Sequence, residues 1–181
     1  ARMVASGVVA PERIAVSGSI KLAALARMHK ERPRLFDDAR PVVLYNPHFS
    51  ATLGSWLPWG RRIIAAFAAQ DEFNLIVAPH VRLFEAATES DRATLRALAV
   101  PGRIRIDTGS ERCSDMTYTD AADIYLGDVS SQVYEFLSRP RPCVFLDAHH
   151  AAWRDNADYA SWRFGEVVAE DRKSTRLNSS H

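Results

Sequence analysis

Two adjacent serines, Ser130 and Ser131, stand where a strand-like segment passes into a helix-like one. Residues 124–127 are apolar, as in a buried strand, and residues 130–138 have helical periodicity. A serine at a helix N-terminus caps free backbone N–H groups, and such groups together with two hydroxyls form an anion site of phosphate size. Plain capping explains the same pattern, so both interpretations stay open. Asp128 lies in the same loop.

A second candidate is the pair Gly18 and Ser19, between a strand-like segment at 13–16 and a helical segment at 20–28. Glycine permits a positive φ and close backbone approach to a ligand, and Ser19 can cap the helix. The segment is neither GxGxxG nor a P-loop, because no Gly-Lys-Ser/Thr follows. A tight structural turn is therefore at least as well supported as a phosphate contact.

Two histidines follow strand-like segments. His80 comes after 75–78 and a proline, and His48 comes after 42–45 and Asn46-Pro47. A histidine at a strand end can donate a hydrogen bond to a phosphate oxygen. Strand-end histidines are more often structural, so this alternative also stays open.

Metal and thiol chemistry receive little support from the residues. His149 and His150 are adjacent, and neighbouring side chains rarely point at one ion, so we expect no metal site. Cys113 has no evident activating partner, and Cys113 and Cys143 do not form a disulfide framework in a chain of this size. We therefore expect a reducing, cytoplasmic setting.

The elements that position these residues alternate along the chain. The strand-like segments are 13–16, 42–45, 75–78, 104–106, 124–127 and 143–146. The helix-like segments are 20–28, 57–70, 89–99, 116–122 and 130–138, while 31–40 reads as a loop. Alternation of this kind predicts one doubly wound α/β domain with a mostly parallel sheet and helices on both faces. We expect Trp153, Trp162 and Phe164 to pack a closing helix onto the domain.

Composition excludes several classes of protein. The chain has 181 residues, 47% of them hydrophobic, with 23 Lys+Arg against 22 Asp+Glu and a net charge of +1. These values exclude collagen-like, disordered and disulfide-rich proteins. The charge balance gives no reason to expect a nucleic-acid partner, and no apolar run approaches the roughly 20 residues that span a bilayer.

Both ends of the sequence are irregular. It opens on Ala1-Arg2-Met3 without a signal peptide, and residues 172–181 read RKSTRLNSSH. This tail resembles a translated vector scar, and a native disordered terminus is the alternative. We expect a domain over 1–171 followed by a tail, 172–181, that takes no part in the fold.

Three segments together resemble a known family. IAVSGSIKL at 14–22 looks like the glycine turn that opens the nucleotide-binding domain of GT-B-type enzymes. The strand at 75–78 ending in His80 is similar to their pyrophosphate-facing histidine. The run AADIYLGDVSS at 121–131, continuing to YEFL at 134–137, resembles the acidic-x-Ser-Ser loop of the CDP-glycerol glycerophosphotransferase family. The resemblance implies the C-terminal, donor-binding, Rossmann-like lobe of such an enzyme.

That family transfers a glycerol-phosphate unit from CDP-glycerol to an acceptor hydroxyl in the synthesis of teichoic-acid-like polymers of the cell envelope. The resemblance assigns the donor phosphates to Ser130, Ser131, His80, Gly18 and Ser19, with Asp128 bracing the loop or meeting the donor and His48 in support. It implies no metal and no cofactor beyond the nucleotide donor, no nucleic-acid partner, and a cytoplasmic protein associated peripherally with the inner face of the membrane.

The sequence also departs from the family pattern. His80-Val81 replaces His-Pro, and Pro47-His48-Phe49-Ser50 replaces Pro-Thr-x-Arg, which leaves the donor's identity open. We expect the family's N-terminal acceptor domain, which supplies a histidine proposed as general base, to be missing from this sequence. We therefore assign no catalytic residue here and expect a fragment that is inactive alone. The alternatives are a nucleotide-sugar 2-epimerase-like domain, another GT-B glycosyltransferase domain, or a non-catalytic α/β binding module.

Overall fold

The computed structural model of the protein describes residues 2–15, 18–28 and 31–170. The chain divides into two compact units, Ala1–Glu31 and Arg32–His181, which we describe separately. The expectation of one domain over 1–171 remains a prediction.

The first unit contains helix α1 at Arg2–Ala5, a 3-10 helix at Pro11–Arg13 and helix α2 at Ile20–Met28. Helix α2 confirms the predicted helix at 20–28. The strand predicted at 13–16 is wrong over its described residues, because Arg13 ends the 3-10 helix that Pro11 begins and Ile14 and Ala15 pair with no strand. Val16 lies outside the described residues. Ile14 is exposed, so this short apolar run has no sheet face to bury.

The second unit is built on a sheet of six strands. These are β1 at Val42–Asn46, β2 at Asn74–Val77, β3 at Ile104–Ile106, β4 at Ile124–Gly127, β5 at Cys143–Asp147 and β6 at Glu166–Ala169. The spatial order is β3-β2-β1-β4-β5-β6, and all neighbouring strands pair in parallel. This is the strand order of a Rossmann-type sheet, so the predicted α/β fold is confirmed.

Helices connect the strands at or near their predicted positions. They are α3 at Trp56–Ala68, α4 at Glu89–Arg96, α5 at Thr117–Ala121 and α6 at Gln132–Phe136, with 3-10 helices at Val81–Phe84, Glu111–Cys113 and Ala157–Phe164. Helix α6 is shorter than the predicted 130–138. It ends at Phe136, whose carbonyl oxygen accepts a hydrogen bond from the Arg141 guanidinium, so an acceptor that the helix leaves unpaired is satisfied.

The sheet buries both of its faces. Leu44 and Tyr125 point to one face, where Phe136 of α6 and Trp162 cover them. The alternate positions point to the other face, where Val43, Leu75 and their neighbours pack around Ile64 of α3. Helices therefore cover both faces, as predicted, and this explains why the central strands read as continuous apolar runs.

The closing segment differs from its prediction. It forms the 3-10 helix Ala157–Phe164 and then the edge strand β6, which the sequence analysis does not predict. Trp162 is buried and Trp153 packs against the same core, but Phe164 is 57% exposed and contacts only Tyr134 among the described aromatic rings. The packing role expected for Phe164 is therefore wrong, since its ring lies on the surface.

Candidate functional site

The centre of the sheet contains a topological switch point between β1 and β4. Their ends lie side by side, with Asn46 opposite Gly127. From β1 the sheet continues through β2 and β3 on one side, and from β4 through β5 and β6 on the other. Loops that leave two such strands diverge and open a crevice at their carboxyl ends, which is where doubly wound sheets bind ligands. We call this the switch-point crevice.

Asp128 joins the two loops that border the switch-point crevice. Its Oδ1 accepts a hydrogen bond from the backbone N–H of His48 at 2.8 Å. Its Oδ2 accepts from the backbone N–H and the hydroxyl of Ser55, at 2.6 and 2.7 Å. The side chain is fully buried, and burial raises the pKa of Asp128 to about 6 even though these donors favour the carboxylate. The residue thus braces the loop after β1 against the loop after β4.

The loop after β1, residues 47–55, is closely packed around Gly54. A Cβ at Gly54 would overlap the carbonyl oxygens of His48 and Ser50. The Nε2 of His149 lies 2.9 Å from the carbonyl oxygen of Gly54, and the Tyr45 hydroxyl lies 3.0 Å from Ser55 Oγ. The sequence pattern does not single out Gly54 and Ser55 as site residues. Their signal is a glycine and a polar residue standing between a buried strand and a helix.

His48 and His80 lie together beyond the carboxyl ends of β1 and β2. The backbone N–H of His80 donates to the carbonyl oxygen of Pro47 at 3.1 Å, which holds the loop after β2 against the loop after β1. The two imidazole centroids are 5.9 Å apart, and the ring of Phe49 lies 4.2 Å from His48 and 4.8 Å from His80. Tertiary structure therefore unites two histidines that are distant in sequence.

The hydrogen bonds of both histidines fix which nitrogen is the donor. His48 Nδ1 accepts from the backbone N–H of Ser50 at 3.0 Å, and His80 Nδ1 accepts from that of Arg82 at 3.2 Å. The neutral rings must then carry their proton on Nε2. Burial lowers the pKa of both histidines, and the positive charge of Arg82 lowers them further. At neutral pH each ring therefore presents an uncharged N–H donor.

Arg82 adds a cation to the same cluster, and its Nε lies 3.8 Å from Oε2 of Glu85, with which it forms an exposed ion pair. Its guanidinium lies over the Phe49 ring, 4.3 Å from the ring centroid. An anion at the histidine pair would meet two N–H donors and a nearby positive charge, which is the donor set that phosphate oxygens accept.

Ser130 and Ser131 follow Asp128 in the loop after β4. The Oγ of Ser130 accepts from the backbone N–H of Gln132 at 3.2 Å, but the N-cap residue of α6 is Ser131, so the N-cap role predicted for Ser130 is wrong. Ser131 is exposed and its side chain makes no capping bond. Helix α6 has 5 residues, so its dipole is small. Their proposed phosphate contacts remain predictions.

Gly18 and Ser19 belong to the first unit. Ser19 Oγ accepts from the backbone N–H of Leu22 at 3.2 Å and so caps α2, and Gly18 adopts a φ of +79° that favours glycine. The first strand of the sheet is β1, so the loop from the first strand to its helix is 47–55. That Gly18 and Ser19 line the switch-point crevice remains a prediction.

Burial raises the pKa of the Cys113 thiol to about 12 and that of Cys143 to about 11, which keeps both protonated. Within 2–15, 18–28 and 31–170, His, Cys, Asp and Glu side chains form no group of three that could hold a metal ion. Across the same residues, every helix is too short or too polar to cross a membrane.

Comparison with known proteins finds distant similarity at the level of structure. No family model matches the sequence, and no curated protein does. A crystal structure of the glycotransferase of kitacinnamycin aligns with a TM-score of 0.49 and 17% sequence identity. The alignment covers 78% of this chain and 33% of that one, so the chain spans about a third of that protein's length.

Proposed function

We propose that the switch-point crevice binds the diphosphate of a nucleotide-activated donor, a CDP-alditol or a sugar nucleotide. The protein would be the donor-binding part of a transferase that moves a glycerol-phosphate or sugar unit to an acceptor hydroxyl. The observation that carries this proposal is the pairing of His48 with His80 beside Arg82 at the carboxyl ends of β1 and β2.

The chemistry follows from the donors at the site. When the acceptor oxygen forms its bond to the transferred group, the bond to the nucleotide phosphate breaks and negative charge grows on the leaving phosphate. Two Nε2–H groups, held in place through their Nδ1 bonds, and the Arg82 guanidinium would stabilise that charge. Neutral imidazoles serve here because they donate hydrogen bonds without the desolvation cost of a buried cation.

Ser130 and Ser131, which are also predicted to contact the donor, lie at the same carboxyl edge of the sheet. Ser130 and Ser131 would reach the donor from the loop after β4, while Asp128, fully buried, holds that loop in register with His48. The general base that takes the acceptor's proton is expected from the acceptor-binding domain that the family resemblance implies. We therefore propose that this chain binds the donor and needs that domain for turnover.

Titration calorimetry tests the proposal with CDP-glycerol, CMP, UDP and UDP-sugars. The informative variants are His48→Asn and His80→Asn, because the asparagine Oδ1 can replace Nδ1 as acceptor for the backbone N–H while the Nε2 donor is lost. We expect each to weaken donor binding by about tenfold, the value of one charge-assisted hydrogen bond. His150→Asn is the matched control, since His150 is exposed and has a φ of +53° that asparagine tolerates.

The pattern of affinities separates the alternatives. Preference for CDP-glycerol supports the glycerophosphotransferase interpretation, and preference for a UDP-sugar supports a glycosyltransferase or an epimerase-like domain. If the chain binds none of the four compounds, or if His80→Asn binds as the His150→Asn control does, the proposal is wrong.

A further inference from the structure

A cavity of about 640 Å³ lies at the carboxyl end of β3, between that strand, α4 and the loop that follows β3. Its volume is in the range of small-molecule sites, about 300–1,000 Å³. Four of the side chains that line it are arginines: Arg92, Arg96, Arg105 and Arg112. We call it the arginine cavity. It is separated from the switch-point crevice by β2, which lies between β3 and β1.

Two of the four guanidiniums are held by neutral groups. Arg92 donates to the carbonyl oxygens of Thr108, at 2.7 Å, and Phe84. Arg105 donates to the carbonyl oxygen of Leu35 at 3.3 Å. Backbone carbonyls orient a guanidinium without neutralising it, so both side chains keep their full positive charge in the cavity.

The other two arginines differ in their partners. Arg96 forms an ion pair with Glu89 and also reaches Thr108 Oγ1 at 3.4 Å. Arg112 is exposed, and its guanidinium forms no hydrogen bond or ion pair with any residue in the described part of the chain. Three of the four guanidiniums thus face the cavity without a carboxylate partner among the described residues.

Asp107 is the second carboxylate of the cavity, and its oxygens are already occupied. Oδ1 accepts from the backbone N–H groups of Gly109 and Ser110, at 2.9 and 2.8 Å, and Oδ2 accepts from the Tyr118 hydroxyl at 2.6 Å. Burial alone would raise its pKa, but hydrogen bonds from Ser110, Tyr118 and Gly109 lower the pKa to about 2. The ionised Asp107 holds the loop after β3 in place, and among the described residues its oxygens accept no hydrogen bond from an arginine.

The charges of the arginine cavity are therefore unbalanced. Four guanidiniums face two carboxylates, Glu89 and Asp107, while the whole chain carries a net charge of only +1. Gathering like charges around one cavity is unfavourable unless an anion joins them. Guanidinium groups recognise phosphate through paired N–H donors, and phosphorylated ligands supply the two or more negative charges that the cavity lacks.

We propose that the arginine cavity is a second ligand site, which binds a phosphorylated small molecule carrying at least two negative charges. Arg105 and Arg112 make the direct contacts, because Arg105 has one carbonyl partner at 3.3 Å and the Arg112 guanidinium has none among the described residues, whereas two carbonyl oxygens hold Arg92. Arg92 and Arg96 form the fixed wall against which the ligand lies. This proposal does not depend on donor binding at the switch-point crevice, because the two sites use different residues.

Inorganic pyrophosphate is the probe, and inorganic phosphate, which carries fewer negative charges, is the comparison ligand. Calorimetry on the full chain should show that pyrophosphate binds, and that the double variant Arg105→Gln/Arg112→Gln binds it about tenfold or more weakly. The matched control is Arg27→Gln/Arg61→Gln, which removes the same charge at exposed positions outside the cavity. The control should bind pyrophosphate within about twofold of the unmodified chain, because long-range charge effects are screened by salt.

Amide chemical shifts of the unmodified chain locate the probe without any variant. Pyrophosphate should move the signals of Gly109 and Ser110, and phosphate should move them less at equal concentration. Shifts confined to His48 and His80, equal losses in the two double variants, or no binding would each overturn the proposal. Tighter binding of a single-stranded oligonucleotide, lost in Arg105→Gln/Arg112→Gln, would also overturn it in favour of a nucleic-acid surface.

Discussion

At the scale of single residues, the crevice depends on a fully buried carboxylate, that of Asp128. Asp128 is fully buried and holds two loops through bonds to His48 and Ser55, while the carbonyl oxygen of Asp128 accepts from Trp162 Nε1 at 3.2 Å. A buried carboxylate with several backbone donors fixes loop geometry more strongly than any surface ion pair. Asp128 thus fixes the backbone of His48, and the Pro47 carbonyl in turn holds the backbone of His80.

Asp128→Ala should therefore lower the free energy of unfolding. The substitution leaves buried donors of His48 and Ser55 without an acceptor, at a cost of about 2–4 kcal/mol. Urea denaturation followed by circular dichroism measures the change. Asp155→Ala is the control, because Asp155 is exposed and should change stability by less than about 0.5 kcal/mol. Equal stability of the two variants would contradict the bracing role.

At the scale of elements, the loop 47–55 is the part of the fold that shapes the crevice. It connects β1 to α3, and its path brings the backbone of Gly54 against the carbonyl oxygens of His48 and Ser50. The backbone N–H of Gly54 also donates to the Ser50 carbonyl at 2.8 Å. Any side chain at position 54 would have to displace backbone atoms of His48 and Ser50, because the atoms nearest to it are backbone rather than the end of a flexible side chain.

We predict that Gly54→Ala distorts this loop. The added Cβ forces the backbone of His48 away from Asp128, which should cost about 1–3 kcal/mol of stability, as overpacking does. Donor binding should weaken in the same variant, as measured by calorimetry with CDP-glycerol. Ala51→Ser, an exposed change in the same loop, should leave both quantities unchanged. Unaltered stability and affinity in Gly54→Ala would show that the loop tolerates the shift.

At the scale of the whole molecule, both hydrophobic cores belong to the second unit. Every buried residue of the two clusters, from Val43 to Trp162, lies after Arg32. Among the side chains that the structure describes, the first unit contributes none of them, and its Ile20 is 81% exposed. The buried apolar surface that stabilises a domain thus lies in the sheet and the helices that cover it.

A protein of residues 32–170 should accordingly fold alone. We expect one cooperative urea transition with a slope close to that of the full chain, because nearly the same core surface becomes exposed on unfolding. Circular dichroism and tryptophan fluorescence should report the same midpoint. A gradual, non-coincident transition would show instead that residues 1–31 are required for the fold.

Local sequence determined most of the elements. Apolar runs such as 42–45 and 75–78, punctuated by prolines, predicted the central strands, because a strand buried on both faces must be apolar at every position. The helices 57–70 and 89–99 followed from periodicity in the same way. The strand at 13–16 failed because a short apolar run becomes a strand only beside another strand. Strand β6 was missed because an edge strand buries little and leaves a weak pattern.

Only the tertiary structure decided which residues meet. The sequence singled out His48, His80, Asp128 and the serines of the loop after β4, since each follows a strand-like segment. It left open which were structural and could not show that Asp128 reaches Ser55 or that His48 lies beside His80. Nor did spacing unite Arg92 with Arg105 and Arg112 around one cavity. The physical reason is that local pattern depends on a residue's immediate neighbours, whereas a site depends on strand order, which long-range packing sets.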